Sequence, residues 1–271
     1  MKANLTAVAL LALAPALALA DDCKHSAPRT LDLDLRDVES VRFEVGNGEL
    51  VVVPAKGAPV VAGQACSSDP DRLDGIVLRQ RRVGNELRVE MRTESNFSGI
   101  FFGRTYAYLR INAELPADLP VAIELGSGDA TLEGIRQVDA DVGSGDLAVR
   151  EADRVRLGVG SGDAELIRIA GEVVVEVGSG DAIIRDAGQL LVTRVGSGDL
   201  EAERVRGDVR IERLGSGDIK LDGVAGNVHV EDIGSGDLSV RDLAGDLVVD
   251  DIGSGDVDHR NVAGKVTLPD D

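Results

Sequence analysis

Val177-Gly178-Ser179-Gly180-Asp181-Ala182-Ile183-Ile184 is one of eight versions of a single phrase. Gly-Ser-Gly-Asp recurs at 126–129, 143–146, 160–163, 178–181, 196–199, 215–218, 234–237 and 253–256, at spacings of 17, 17, 18, 18, 19, 19 and 19 residues. A period fixed near 20 residues is the signature of a repeat architecture, in which each unit buries its apolar face only against its neighbours.

Positions counted from the motif Asp read as a strand. Position +1 is apolar in every copy: Ala130, Leu147, Ala164, Ala182, Leu200, Ile219, Leu238 and Val257. Position +3 is apolar in all but the last, where His259 stands, and +6 is apolar throughout. Position +2 is mostly polar. This alternation marks a strand with one buried face, followed by a corner at +6. A second strand precedes each motif and ends on Leu125, Val142, Val159, Val177, Val195, Leu214, Ile233 or Ile252. In the last four copies its alternation slips by one residue, as in Leu247, Val249, then Ile252. That slip and an added residue at the Ala-Gly corner account for the drift from 17 to 19.

Two strands per unit fit either a sixteen-strand antiparallel meander or an all-β, single-chain β-solenoid, a parallel β-helix. The meander leaves one apolar face uncovered, and its strands near five residues are too short for a membrane barrel, which needs about 9–11. The coil buries its two strands against each other, so the solenoid is the expected fold. Eight rungs at about 4.8 Å give a rod of roughly 38 Å. At +4, Glu133 is followed by Arg150, Arg185 by Glu203, and Asp222 by Arg241, which places opposite charges on adjacent rungs. The glycines are expected where a tight turn needs φ > 0 and where stacked backbones crowd.

Stacking also sets Asp129, Asp146, Asp163, Asp181, Asp199, Asp218, Asp237 and Asp256 in one column. Two unit charges at that spacing repel by about 0.9 kcal/mol in water and about 3.5 at an effective dielectric of 20. The carboxylates must therefore accept N–H or Ser O–H bonds from the turns, or share cations. Donors in every turn favour the first, with these eight residues as the ligands if cations bind. A calcium-binding nonapeptide places Asp two residues after a Gly, whereas here Asp follows Gly directly, so a calcium-stabilised β-roll is the weaker alternative.

Residues 1–20 have the form of a signal peptide: Lys2, an apolar run, and Ala18-Leu19-Ala20 before the cut. The expected locale is periplasmic or secreted. No later stretch approaches 18 apolar residues, so no transmembrane segment is expected after cleavage. Cys23 and Cys66 are the two cysteines, and in an oxidising compartment they are expected to pair. The formal charge of −19 excludes nucleic acid as an expected partner.

Residues 21–120 read as a less regular β region capping the solenoid, and 121–271 as the repeat domain. Gly46-Asn47-Gly48-Glu49 looks like a degraded first copy of the motif, and Gly84-Asn85 is a hairpin signal. Five of the six aromatic residues fall together: Phe97, Phe101, Phe102, Tyr106 and Tyr108. They read either as a plug over the end of the solenoid or as an exposed contact patch. At the far end, Pro269, Asp270 and Asp271 blunt a strand edge.

No catalytic constellation is present. His25, His229 and His259 are far apart, no metal-ligand spacing occurs, and Gly-Ser-Gly-Asp is not the G-x-S-x-G elbow. A glycan-active β-helix enzyme needs long side loops, and rung lengths here differ by at most two residues. Stacked aspartates share one environment, whereas acid–base pairs need split pKa values. No enzyme activity and no cofactor are expected.

The Val/Ile/Leu-Gly-Ser-Gly-Asp-Leu/Ile unit, the half-turns at Gly226-Asn227 and Gly245-Asp246, and the leading signal peptide resemble a bacterial family of "putative adhesins" with β-strand repeats. The resemblance covers roughly 120–268 and implies a non-catalytic binding or scaffolding module of the cell envelope, with an envelope protein or glycan as partner. It assigns no binding residues.

Overall fold

The computed structural model describes residues 23–93 and 105–269. The repeats build a β-solenoid with two strand-bearing faces. In one representative rung, Gln137–Val142 lies between Val121–Leu125 and Arg154–Val159, parallel and in register with both. The chain then passes the turn 143–146 and returns as Asp146–Ala152, between Asp129–Glu133 and Asp163–Val177. Equivalent residues stack: Asp146 aligns with Asp129 and Asp163, Leu147 with Ala130 and Ala164. Parallel strands covered by the opposite wall of the coil bury their apolar positions almost completely, as at Ala182, Ile184 and Ala187.

The turn glycines answer to crowding. A Cβ on Gly180 would lie 1.8 Å from the Gly162 carbonyl oxygen, and one on Gly198 1.8 Å from that of Gly180. Only glycine lets successive turns sit one rung apart. The expected positive φ is absent from these turns and occurs at the other corner, at motif position +5. Gly134, Glu151, Arg168, Asp186, Arg204, Gly223, Asp242 and Asn261 all have φ between 52° and 74°. The corner needs this left-handed residue to swing the following apolar +6 residue inward, and six rungs accept its cost with an ordinary side chain. Neighbours in this column then pair: Arg168 with Glu151 at 2.8 Å, Arg204 with Asp186 through two bonds of 2.8 and 3.1 Å, and Asn261 with Asp242 at 2.8 Å.

The drift in repeat length appears as two register shifts between Asp163–Val177 and Asp181–Val195. One falls at the corner near Ala170-Gly171. The other falls where the extra residue Thr193 enters ahead of the fifth motif, matching the slip in alternation. The +4 registers also hold, pairing Arg150 with Glu133, Arg185 with Glu203 and Asp222 with Arg241. Arg185 reaches Glu203 at 3.7 Å, but Arg150 turns instead to Glu165 at 3.1 Å.

The column of parallel rungs continues below residue 121. Ser40–Val45 and Glu49–Pro54 pair with Val121–Leu125 and Asp129–Glu133, with 46–49 in the turn column: Ser127 N–H donates to Gly46 O and Asp129 N–H to Gly48 O. A further rung, Glu86–Thr93 with Ala107–Leu115, lies beyond it. The outermost strands are antiparallel. Ile76–Val83 covers the edge of Glu86–Thr93, Val60–Ser67 that of Ala107–Leu115, and His25–Asp32 lies outside Val60–Ser67. Arg29 spans this end, donating to Ile76 O and Leu73 O at 3.0 and 2.6 Å. At the other end, Val257–Val262 pairs with Leu238–Leu243 alone, and Ile252, Val257, Val262 and Val266 stay partly exposed.

Candidate functional site

Three features on the rod concentrate chemistry: the aspartate column, an arginine–glutamate sheet face, and an aromatic pair beside the disulfide.

The column forms as the repeat requires, and its carboxylates are used as acceptors. Asp199 N–H donates to Asp181 Oδ1 at 3.0 Å, Asp218 to Asp199 at 3.0 Å, Asp237 to Asp218 at 3.2 Å and Asp256 to Asp237 at 2.9 Å. Asp181 N–H is shared between Asp163 Oδ1 and Gly162 O, both at 3.3 Å. In the shorter rungs, Asp146 and Asp163 donate to Gly128 O and Gly145 O instead. Five of the eight carboxylates, from Asp163 to Asp237, therefore meet a positive N–H dipole of the next rung, which offsets repulsion between neighbours. The serines contribute backbone N–H groups, as in Ser197 to Gly178 O at 2.8 Å. A second ladder of the same kind runs along the opposite corner through Asp208, Asn227, Asp246 and Lys265 N–H. Among the described residues no group of three or more His, Cys, Asp or Glu side chains could hold a metal ion.

The outer face of Ile76–Val83, Glu86–Thr93 and Ser40–Val45 carries interleaved charges. Glu90, nearly buried, accepts from Arg81 and Arg79, both at 2.7 Å. These bonds, from Arg81 first and then Arg79, outweigh the cost of burial and hold its carboxyl down at about 2. Burial pushes Glu86 up, but hydrogen bonds from Arg88 and Arg42 leave its pKa below the ordinary value. Glu44 meets Arg81 and Arg92 at 3.2 and 3.1 Å. The cluster sets five arginines against three glutamates and acts as a strut across three strands. Beside it, a shallow groove of about 280 Å³ is lined by Arg42, Arg154, Arg156, Gln137 and Asp139 among others.

The aromatic pair projects from the start of Ala107–Leu115, on the side opposite inward-facing Leu109 and Ile111. Tyr106 and Tyr108 are both half-buried, with ring centroids 5.9 Å apart, and the Arg110 guanidinium lies 5.9 Å from the Tyr108 ring. Tyr108 stands opposite Cys66 across the antiparallel pair, and Cys66 is bonded to Cys23. Lys24 N–H donates to Tyr106 Oη at 2.8 Å, so the bridge and this bond hold the N-terminal segment against the tyrosines. Asn47, which stands where other turns have Ser, links Thr93 to Ala107. Its Nδ2 donates to Ala107 O at 2.8 Å and its Oδ1 accepts from Thr93 Oγ1 at 3.2 Å. Phe97, Phe101 and Phe102 lie outside the described residues, as does the stretch 1–20 read as a signal peptide.

Sequence reasoning placed the aspartates in one column and paired the cysteines. It missed the arginine–glutamate strut. The available signal there was the alternation of Arg79, Arg81 and Arg88 with Glu86 and Glu90 on strands joined by the Gly84-Asn85 turn.

No family model matches the chain, and no curated protein matches it. Among solved structures the chain is similar to a "putative lipid binding protein" from Parabacteroides distasonis ATCC 8503, at 17% identity and TM-score 0.44, covering 89% of this chain and 97% of that one. It is similar to a "putative adhesin" from Bacteroides fragilis NCTC 9343, at 13% identity and TM-score 0.37 over 90% and 97%. A "putative cell adhesion protein" from Clostridium sporogenes ATCC 15579 matches at 11% identity and TM-score 0.34 over 90% and 100%. Among the described residues no helix is long and apolar enough to cross a membrane.

Proposed function

We propose that this chain is an exported, adhesin-like binding module of the bacterial cell envelope, periplasmic or secreted, with no catalytic role. The repeat domain, 121–271, serves as a rigid spacer, and the region 21–120 caps it and carries the contact surface. The observation behind this reading is the placement of Tyr106 and Tyr108. They sit half-exposed on the outer wall of the capped end, beside Arg110 and locked by a disulfide. Rigid aromatic rings beside a guanidinium suit a protein surface or the apolar face of a sugar. Phe97, Phe101 and Phe102 belong to the same proposed patch. The repeat faces offer mainly short aliphatic and charged side chains, suited to stacking.

The test is capture of partners from envelope fractions with the full chain as bait. The Tyr106→Ala/Tyr108→Ala variant should lose the partner while keeping its melting temperature within a few degrees. Undiminished capture would place the contact elsewhere. Recovery of nucleic acid instead of an envelope protein or glycan would overturn the assignment.

A further inference from the structure

The two ends of the solenoid differ in a way that bears on assembly. At the N-terminal end every parallel strand is followed by an antiparallel one, and Arg29 ties the two walls together. At the C-terminal end, among the described residues, no strand lies beyond Val257–Val262 on its own wall; the other wall ends on the two-residue strand Val266–Thr267, and that is the edge Pro269 blunts. The apolar side chains Ile252, Val257, Val262 and Val266 end the core there half-covered. Position +3, apolar in the seven earlier repeats, is here exposed His259.

We propose that this end joins a second copy of the same chain, edge to edge, through antiparallel pairing of Val257–Val262 with itself. A twofold axis perpendicular to the rod carries each wall into its own counterpart, which makes the contact self-complementary and closed. Period-2 alternation allows only registers that keep inward residues inward. Among these, centring on Asp258 sets Asp258 against Asp258, and centring on Arg260 sets Arg260 against Arg260. Centring on His259 sets Asp258 opposite Arg260 of the second copy, twice, while Val257 and the two His259 side chains meet on the core side. Opposite charges directly across a strand pair stabilise it and like charges destabilise it, so the charge pattern selects the register centred on His259. The antiparallel cap at the other end blocks continuation into a filament. The joined molecule would be a rod with a tyrosine patch near each tip, roughly 90 Å apart at about 4.8 Å per strand. That arrangement would give the proposed binding module two sites, but the pairing itself does not depend on that reading.

Sedimentation velocity of the full chain across a concentration series tests the proposal, with small-angle scattering to give the shape. The expected result is a monomer–dimer equilibrium, with the dimer about twice the length of the monomer. Asp258→Arg alone and Arg260→Asp alone should each weaken association at least tenfold. The double variant Asp258→Arg/Arg260→Asp should restore it, because the swap re-forms both cross-strand pairs. These side chains are exposed, and circular dichroism of each variant should match the parent. A chain monomeric at all concentrations, a side-by-side dimer, or a double variant no better than the single ones would each overturn the proposal.

Discussion

At the N-terminal end the core is built from its largest side chains, Phe43, Met91 and Leu50, all at most 2% exposed, and it is closed by three antiparallel strands and a disulfide. At the C-terminal end it tapers into Val257, Val262 and Val266, partly exposed, with a single parallel neighbour for the last full strand. Between them the rungs are nearly interchangeable. A stack of like units is stabilised mostly by each interface, so the ends decide where it frays and what it can touch. The capped end has spare stability to hold a contact surface. The open end is better suited to joining another edge than to presenting a fixed site.

The contrast is tested most strongly by paired truncations. Phe43→Ala should cost about 3–5 kcal/mol, while Val257→Ala should cost less than about 1, because its side chain is only partly buried. Denaturant unfolding measures both, and equal costs would erase the difference between the ends. Breaking the Cys23–Cys66 bridge with Cys66→Ser should cost about 2–4 kcal/mol. The loss should appear as hydrogen exchange in His25–Asp32 and Val60–Ser67, with the repeats unaffected. Mass spectrometry without reductant should find no alkylatable thiol in the parent. A smaller effect is expected at the left-handed corner: Gly223→Ala, at φ +74°, should cost about 1–2 kcal/mol although its Cβ has room.

The smallest expected effect is the acid sensitivity that Glu90 brings to the capped end. Glu90 is held at about 2, below its ordinary 4.5. A carboxyl lowered on folding contributes stability that is complete above about pH 4.5 and is lost as pH falls through about 2. Glu90→Gln should flatten the acid limb of stability in that window. A limb unchanged by the substitution would mean that other carboxylates carry it.

The parts legible in the sequence are those that repetition makes redundant. Eight copies of one turn set the strand positions, the buried +1, +3 and +6 columns, and the stacking of the aspartates. Beyond the degraded copy at 46–49 the capped end has no repeat to read, and its strand order departs from chain order. Glu86–Thr93 and Ala107–Leu115 lie outside the earlier Ser40–Pro54 segment, and local alternation carries no record of such a crossover. The left-handed column is hard to read because Glu151, Arg168 and Arg204 are poor φ > 0 residues, which leaves Gly134, Gly223, Asn261, Asp186 and Asp242 as its signal. The motif glycines were expected in part for positive φ, but close stacking alone explains them. Of the two donors expected for the carboxylates, main-chain N–H and serine O–H, the main-chain N–H groups serve, because rung stacking already points them at the acceptors.

The account rests on the aspartate column being a structural spine, with the carboxylates from Asp163 to Asp237 satisfied by N–H groups of the next rung. The direct test is calorimetry of the full chain in calcium and in chelator, with calcium stoichiometry measured on the same sample. Melting temperatures within a few degrees of each other and no stoichiometric calcium are the predicted result. Several calcium ions bound per chain, with large loss of β-structure on chelation, would contradict it.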